Sequence, residues 1–172
     1  MTPADALPPL LPPQGHATSL EDALAEPLIA GATAEATIRL EDLAGMDFRV
    51  NPPSGREFVI DLGTDHGGHA RGPEPKELLL AALASCTAMD VIAILRKKRQ
   101  VVTEYRVRVA ATEQQEHPRV YTAMVVQHIV GGPALDPAAV ARAVELSAVK
   151  YCPVSAMLAK ACPITHQFRL VP

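Results

Sequence analysis

Residues 75–99 read PKELLLAALASCTAMDVIAILRKKR, and this stretch decides the architecture. Pro75 stands where a proline costs a helix nothing, because a first-turn N–H has no intrahelical partner to lose. Arg96-Lys97-Lys98-Arg99 stands at the other end, where cations suit the negative pole of the helix dipole. Between them, Leu78 to Leu95 is apolar almost all round, so the pattern predicts a helix over Lys76–Arg99 that is buried on every side. A run of this length also approaches a membrane span. Asp90 in mid-stretch and the dilution by five alanines weaken that alternative, and burial in a globular core is the reading adopted.

Working outward, Thr37–Leu40 and Met46–Val50 have the composition of short strands joined by a turn near Gly45. Asn51 to Gly55 is a turn, and Glu57–Leu62 is a third strand. A glycine-rich loop, Gly63–Gly72, leads into the helix. Downstream, Tyr105, Val107 and Val109 alternate with Glu104, Arg106 and Arg108, the period of a half-buried strand. After the polar turn Gln114–Pro118, Val120–Val130 is apolar on both faces and belongs nearer the centre of a sheet. Asp136 caps a second helix with Pro137 in its first turn and Val140, Val144 and Ala148 on its apolar stripe. Pro153 breaks it, a further helical piece runs to about Ala161, and Ile164–Val171 is the last strand. This order of elements is an α+β arrangement. The long helix is apolar on more faces than one sheet can cover, which predicts burial by a second copy.

The chain of 172 residues suits one domain. Residues 1–31, rich in Pro and Ala with proline pairs at 8–9 and 12–13, read as an N-terminal extension, and residues 32–172 as the domain. A net charge of −3 without a clustered basic surface argues against a nucleic-acid partner. The N-terminus has no basic segment before its apolar residues, which are broken by prolines, so a cytoplasmic location is expected. Three cysteines without a CxxC exclude a zinc knuckle and a thioredoxin motif. Asp65, His66 and His69 could offer ligands to zinc, but two histidines in a glycine-rich loop are weak grounds, and neither metal nor cofactor is expected. Phosphate-binding loops, GxSxG and HExxH do not occur.

Cys86 lies in mid-helix, where a cysteine is most often a small buried hydrophobe. The helix interior gives it no dipole assistance, and Asp90 one turn away disfavours a thiolate unless a cation intervenes. Cys152 precedes Pro153, so it is placed at or near a helix N-cap with Lys150 close by, both of which lower a thiol pKa. Cys162 is assigned to packing.

The run Pro73-Glu-Pro-Lys-Glu-Leu-Leu-Leu-Ala-Ala-Leu-Ala-Ser-Cys86-Thr-Ala-Met-Asp90 resembles the hallmark of the OsmC/Ohr family, the osmotically inducible and organic hydroperoxide resistance proteins. So do Ala143-Val-Glu-Leu-Ser-Ala-Val-Lys-Tyr-Cys152-Pro-Val-Ser and the His117-Pro118 turn. The resemblance covers residues 33–172, and the text around Asp90 is closer to a less-characterised branch than to the best-known peroxidases. It implies an intertwined homodimer in which two long central helices pack against antiparallel sheets from both chains, with active sites at the interface. It further implies that Cys86 attacks an organic hydroperoxide and becomes a sulfenic acid, and that Cys152 condenses with it to a disulfide. An external dithiol, a lipoyl group in the family, restores both thiols. An arginine would hold the thiolate and a glutamate would orient that arginine. Here Lys76 stands where the family has its glutamate, which leaves Glu77 as the substitute, and Arg39 and Arg49 are the nearest matches for the arginine. The rival readings are a dimeric binding or redox-sensing protein on the same scaffold and a metal-dependent hydrolase using His66 and His69.

Overall fold

The computed structural model describes residues 35–37 and 47–171. The N-terminal extension and Arg39 lie outside them, as does most of the first expected strand. What is described there is β1 (Glu35–Thr37), paired antiparallel with β2 (Phe48–Asn51), which pairs in turn with β3 (Phe58–Ile60) to make a small three-stranded sheet. The β2–β3 connection turns where its composition said it would, with the Gly55 N–H donating to the Pro52 carbonyl at 2.8 Å.

The loop after β3 is organised by one carboxylate. Asp61, 2 % exposed, accepts the backbone N–H groups of Leu62, His69 and Arg71 at 2.8, 2.9 and 3.0 Å. These donors, that of Arg71 foremost, hold the Asp61 carboxyl below its ordinary range. The loop passes so close to β3 that glycine is obligatory twice. A Cβ on Gly68 would lie 2.0 Å from the Leu62 carbonyl oxygen, and one on Gly72 would lie 2.1 Å from that of Val59.

The long helix α1 spans Pro75–Lys97. Glu74 is its N-cap, and Glu77 closes a capping box by accepting the Glu74 N–H at 2.9 Å. Only Leu83, Thr87, Val91 and Leu95 are buried, one stripe at a spacing of one turn, so burial on every side is not achieved within a single chain. By length and composition alone α1 could cross a membrane. Its buried stripe instead packs against the second sheet and the helices that follow.

That sheet contains β4 (Glu104–Glu113), β5 (Tyr121–Gly131) and β6 (Ile164–Val171), with β5 in the centre as its two apolar faces required. β4 and β5 are antiparallel, Tyr105 facing Val130. β6 runs parallel to β5, His128 facing Phe168. The sheet is thus mixed, which corrects the expectation of purely antiparallel sheets. Between β5 and β6 the chain crosses through α2 (Pro137–Leu146), a π-helical turn at Ser147–Tyr151 and α3 (Pro153–Leu158), and a crossover of that length is what a parallel pair requires. Asp136 caps α2 through the Ala138 N–H at 2.9 Å. Val91, Leu95, Val130, Val140, Ala143 and Val144 form one core cluster, and Leu83, Met124, Val126, Cys152 and Cys162 a second.

Candidate thiol site

Cys86 and Asp90 stand one turn apart on α1 and therefore project from the same face of the helix. Cys152 reaches that face from the other side. The α2 helix loosens into the π turn, the Cys152 N–H donates to the Ser147 carbonyl at 3.0 Å, and Cys152 itself is extended, with φ −74° and ψ 104°. Pro153 cannot donate a helical N–H, so α3 begins anew there with Cys152 as its N-cap, the sulfur accepting the Ser155 N–H at 3.3 Å. The outcome is a cluster in which the sulfurs of Cys86 and Cys152 and a carboxylate oxygen of Asp90 all lie within 4.8 Å of one another.

A chain of hydroxyls braces the carboxylate. Ser147 Oγ donates to Asp90 Oδ2 at 3.2 Å and shares a 2.8 Å hydrogen bond with Thr87 Oγ1, both hydroxyl residues being fully buried. Cys152 belongs to the core cluster that contains Leu83 and Met124, and Cys86, Leu80 and Leu158 pack against that cluster. Burial, and then the contact with Cys86, push the Cys152 thiol up to about 11. The sequence led to the opposite expectation, a thiol lowered by its helix N-terminus and by Lys150. The Ser155 N–H does act in that direction, but desolvation outweighs it, α3 is short, and Lys150 lies over the Tyr151 ring at 5.5 Å.

The residues expected to activate Cys86 are placed elsewhere in the chain. Glu77 is committed to the capping box, nine residues before Cys86, or roughly 13 Å along the axis at 1.5 Å per residue. Arg49 is 3.7 Å from Glu57 on the small sheet. Lys76 is ion-paired with Glu113, donates to the Arg119 carbonyl at 2.8 Å and lies 4.7 Å over the Tyr121 ring. It lines an open cleft of about 420 Å³ with Glu77, His117 and Arg119. Of the loop residues weighed as zinc ligands, His66 lies 3.8 Å from Glu74 and His69 3.8 Å from Asp47. Among the described residues, the group of three donors close enough to share an ion is Cys86, Asp90 and Cys152.

Two features were missed in the sequence. In the sequence Asp90 reads only as an opponent of the thiolate, although its spacing from Cys86 puts it on the same helical face. His128 was passed over inside an apolar strand. It is fully buried, Tyr105 Oη lies 2.7 Å from its Nδ1, and its ring stacks on His166 at 5.8 Å. Burial and the charge of Asp90 raise the Tyr105 phenol, and burial, with His166 second, lowers His128 to about 4. Both groups are therefore uncharged, a phenol and a neutral imidazole sharing one hydrogen bond, while His128 Nε2 is buried without a hydrogen-bond partner.

A mid-helix cysteine meeting an N-cap cysteine beneath a three-stranded mixed sheet defines a two-thiol α+β protein. The sequence model of the OsmC-like proteins matches residues 67–167, and the chain belongs to that family. It is 39 % identical over 133 residues to the protein YhfA of Escherichia coli K12, a match spanning 77 % of this chain and 96 % of the relative. Among solved structures, a hypothetical protein from Aquifex aeolicus is 26 % identical with a TM-score of 0.67, over 84 % of this chain and all of the other. The organic hydroperoxide resistance protein OhrB of Bacillus subtilis shares the fold at 16 % identity and a TM-score of 0.53, over 81 % of this chain and 98 % of its own.

Proposed function

We propose that the protein is a thiol peroxidase that reduces organic hydroperoxides through Cys86 and Cys152 and works as a homodimer. The observation that carries this reading is the convergence of the two sulfurs, from residues on separate elements, within 4.8 Å. Kinship with a family that includes an organic hydroperoxide resistance protein supports a role in thiol redox chemistry and peroxide defence. The Cys86 sulfur attacks the peroxide, an S–O bond forms as the O–O bond breaks, and the alcohol departs with a proton. Asp90, beside both sulfurs, accepts the thiol proton and returns it to the alkoxide. The Cys152 sulfur then displaces water from the sulfenic acid to give the disulfide, and an external dithiol reduces it by exchange. The apolar packing of Leu80, Leu83 and Met124 with the two cysteines suits a greasy peroxide better than hydrogen peroxide.

The dimer rests on α1, which leaves Leu79 and Met89 44 % and 68 % exposed in one chain, an apolar face for a second copy to cover. Arg39, Arg49 or a cation brought by that copy would hold the thiolate.

A second reading, a binding or redox-sensing protein, is favoured by one observation: three cations that the sequence offered to the two thiols are engaged elsewhere, Lys76 with Glu113, Arg49 with Glu57 and Lys150 on Tyr151. Consumption of cumene hydroperoxide and of hydrogen peroxide under a dithiol, for wild type and Cys86→Ser, separates the two. Turnover that prefers the organic peroxide and vanishes in the variant is the expected result. Turnover retained in Cys86→Ser, or none in wild type with several dithiols, would overturn the peroxidase.

A further inference from the structure

We propose that Cys86, Asp90 and Cys152 form a binding site for a thiophilic divalent cation of the zinc class. The donor set is two sulfurs and a carboxylate oxygen, mutually within 4.8 Å. Donors on a tetrahedral zinc, with bonds of about 2.3 Å to sulfur and 2.1 Å to oxygen, stand roughly 3.5 to 4 Å apart. Small side-chain rotations therefore close the site without moving the backbone. Hard cations such as magnesium or calcium call for oxygen ligands throughout, and the two sulfurs select against them.

The scaffold has the properties of a ligand frame. Cys86 and Asp90 are four residues apart on one rigid helix, a spacing that lets adjacent turns present two ligands to a single ion. Cys152 is fixed by the junction of the π turn and α3. Asp90 is already oriented by the Thr87–Ser147 hydroxyl pair, which occupies one carboxylate oxygen and leaves the other for a cation. Outer hydrogen bonds of this kind aim metal-bound carboxylates. Cys86 and Asp90 are partly open to solvent while Cys152 is buried, so an ion can enter from one side and keep a water as its fourth ligand.

Binding would displace both thiol protons and hold the sulfurs as metal thiolates. The consequence for activity rests on the peroxidase reading: the ion holds both sulfurs in reduced form and slows their attack on peroxide. Oxidation ends this hold. Two thiolates, one hydroperoxide and two protons give the disulfide, one alcohol and one water, and the ion is released because a disulfide does not replace two thiolate ligands.

The test uses the reduced, full-length, metal-free protein titrated with cobalt(II), read by the thiolate-to-cobalt charge-transfer band, followed by displacement with zinc against a chromogenic chelator. One ion per chain is expected. Asp90→Asn should keep the band but weaken binding at least about tenfold, Cys152→Ser should lose most of the band, and His66→Ala with His69→Ala should change neither. Circular dichroism of each variant guards against loss of fold. Absence of the band in the folded wild type, or equal affinity in folded Asp90→Asn, would overturn the site. The readout does not depend on peroxide consumption: binding without turnover contradicts the peroxidase alone, and turnover without binding contradicts the metal site alone.

Discussion

Acid should unfold this protein through His128. The ring is fully buried, and its folded-state pKa of about 4 lies below the ~6.5 of an exposed histidine. Between those values the unfolded chain binds more protons than the folded one, so stability rises with pH there. The contribution is complete above pH ~6.5 and is lost as the pH falls toward the folded pKa. At ~1.36 kcal/mol per unit, the full difference is about 3.4 kcal/mol, of which roughly 2.5 is gone by about pH 4.5. The groups facing the ring are Tyr105 from β4 and His166 from β6, and Asp90 on α1 acts in turn on Tyr105. His166 is also lowered by burial, so it adds to the same acid loss. His128→Gln keeps a hydrogen-bonding side chain beside the Tyr105 hydroxyl and removes the titration. In urea unfolding at fixed protein concentration, wild type should lose about 2 kcal/mol more than the variant between neutral pH and about pH 4.5. That is a midpoint difference of roughly 1 M at a slope near 2 kcal/mol/M. Equal acid losses in the two proteins would refute the assignment of a buried, neutral His128.

Leu83→Ala, at a fully buried position against Met124 and Val126, should cost about 3 kcal/mol in the same unfolding assay. Asp61→Ala removes the acceptor shared by the Leu62, His69 and Arg71 amides, and hydrogen exchange at all three should quicken while that of the β5 amides does not. Met89→Asp places a charge on the exposed apolar face of α1 and should turn the proposed dimer into a monomer by light scattering. An unchanged mass would move the interface elsewhere.

Much of the frame was legible because it depends on local signals. Pro75, the basic run and the apolar stretch between them located α1 to within two residues at its C-terminal end. The two apolar faces of Val120–Val130 identified the central strand. The direction of β6 was not legible, since alternation looks the same in parallel and antiparallel strands and only the crossover through α2 and α3 decides it. Nor could local chemistry place Cys86 against Cys152. A mid-helix cysteine looks like core, and the pairing entered through resemblance alone until the π turn was seen to carry Cys152 onto α1. The state of the Cys152 thiol was misjudged for a related reason: the N-cap is local and visible in sequence, whereas the burial that outweighs it is tertiary.

The most direct test is a single turnover. Reduced wild-type protein is mixed with one equivalent of cumene hydroperoxide without any reductant, quenched by acid, and measured by intact mass and peptide mapping. Loss of two hydrogens per chain and a bridged peptide joining Cys86 to Cys152 are expected, with Cys152→Ser stopping at a Cys86 sulfenic acid. Recovery of both thiols unmodified, or a disulfide that excludes Cys86, would contradict the two-thiol mechanism.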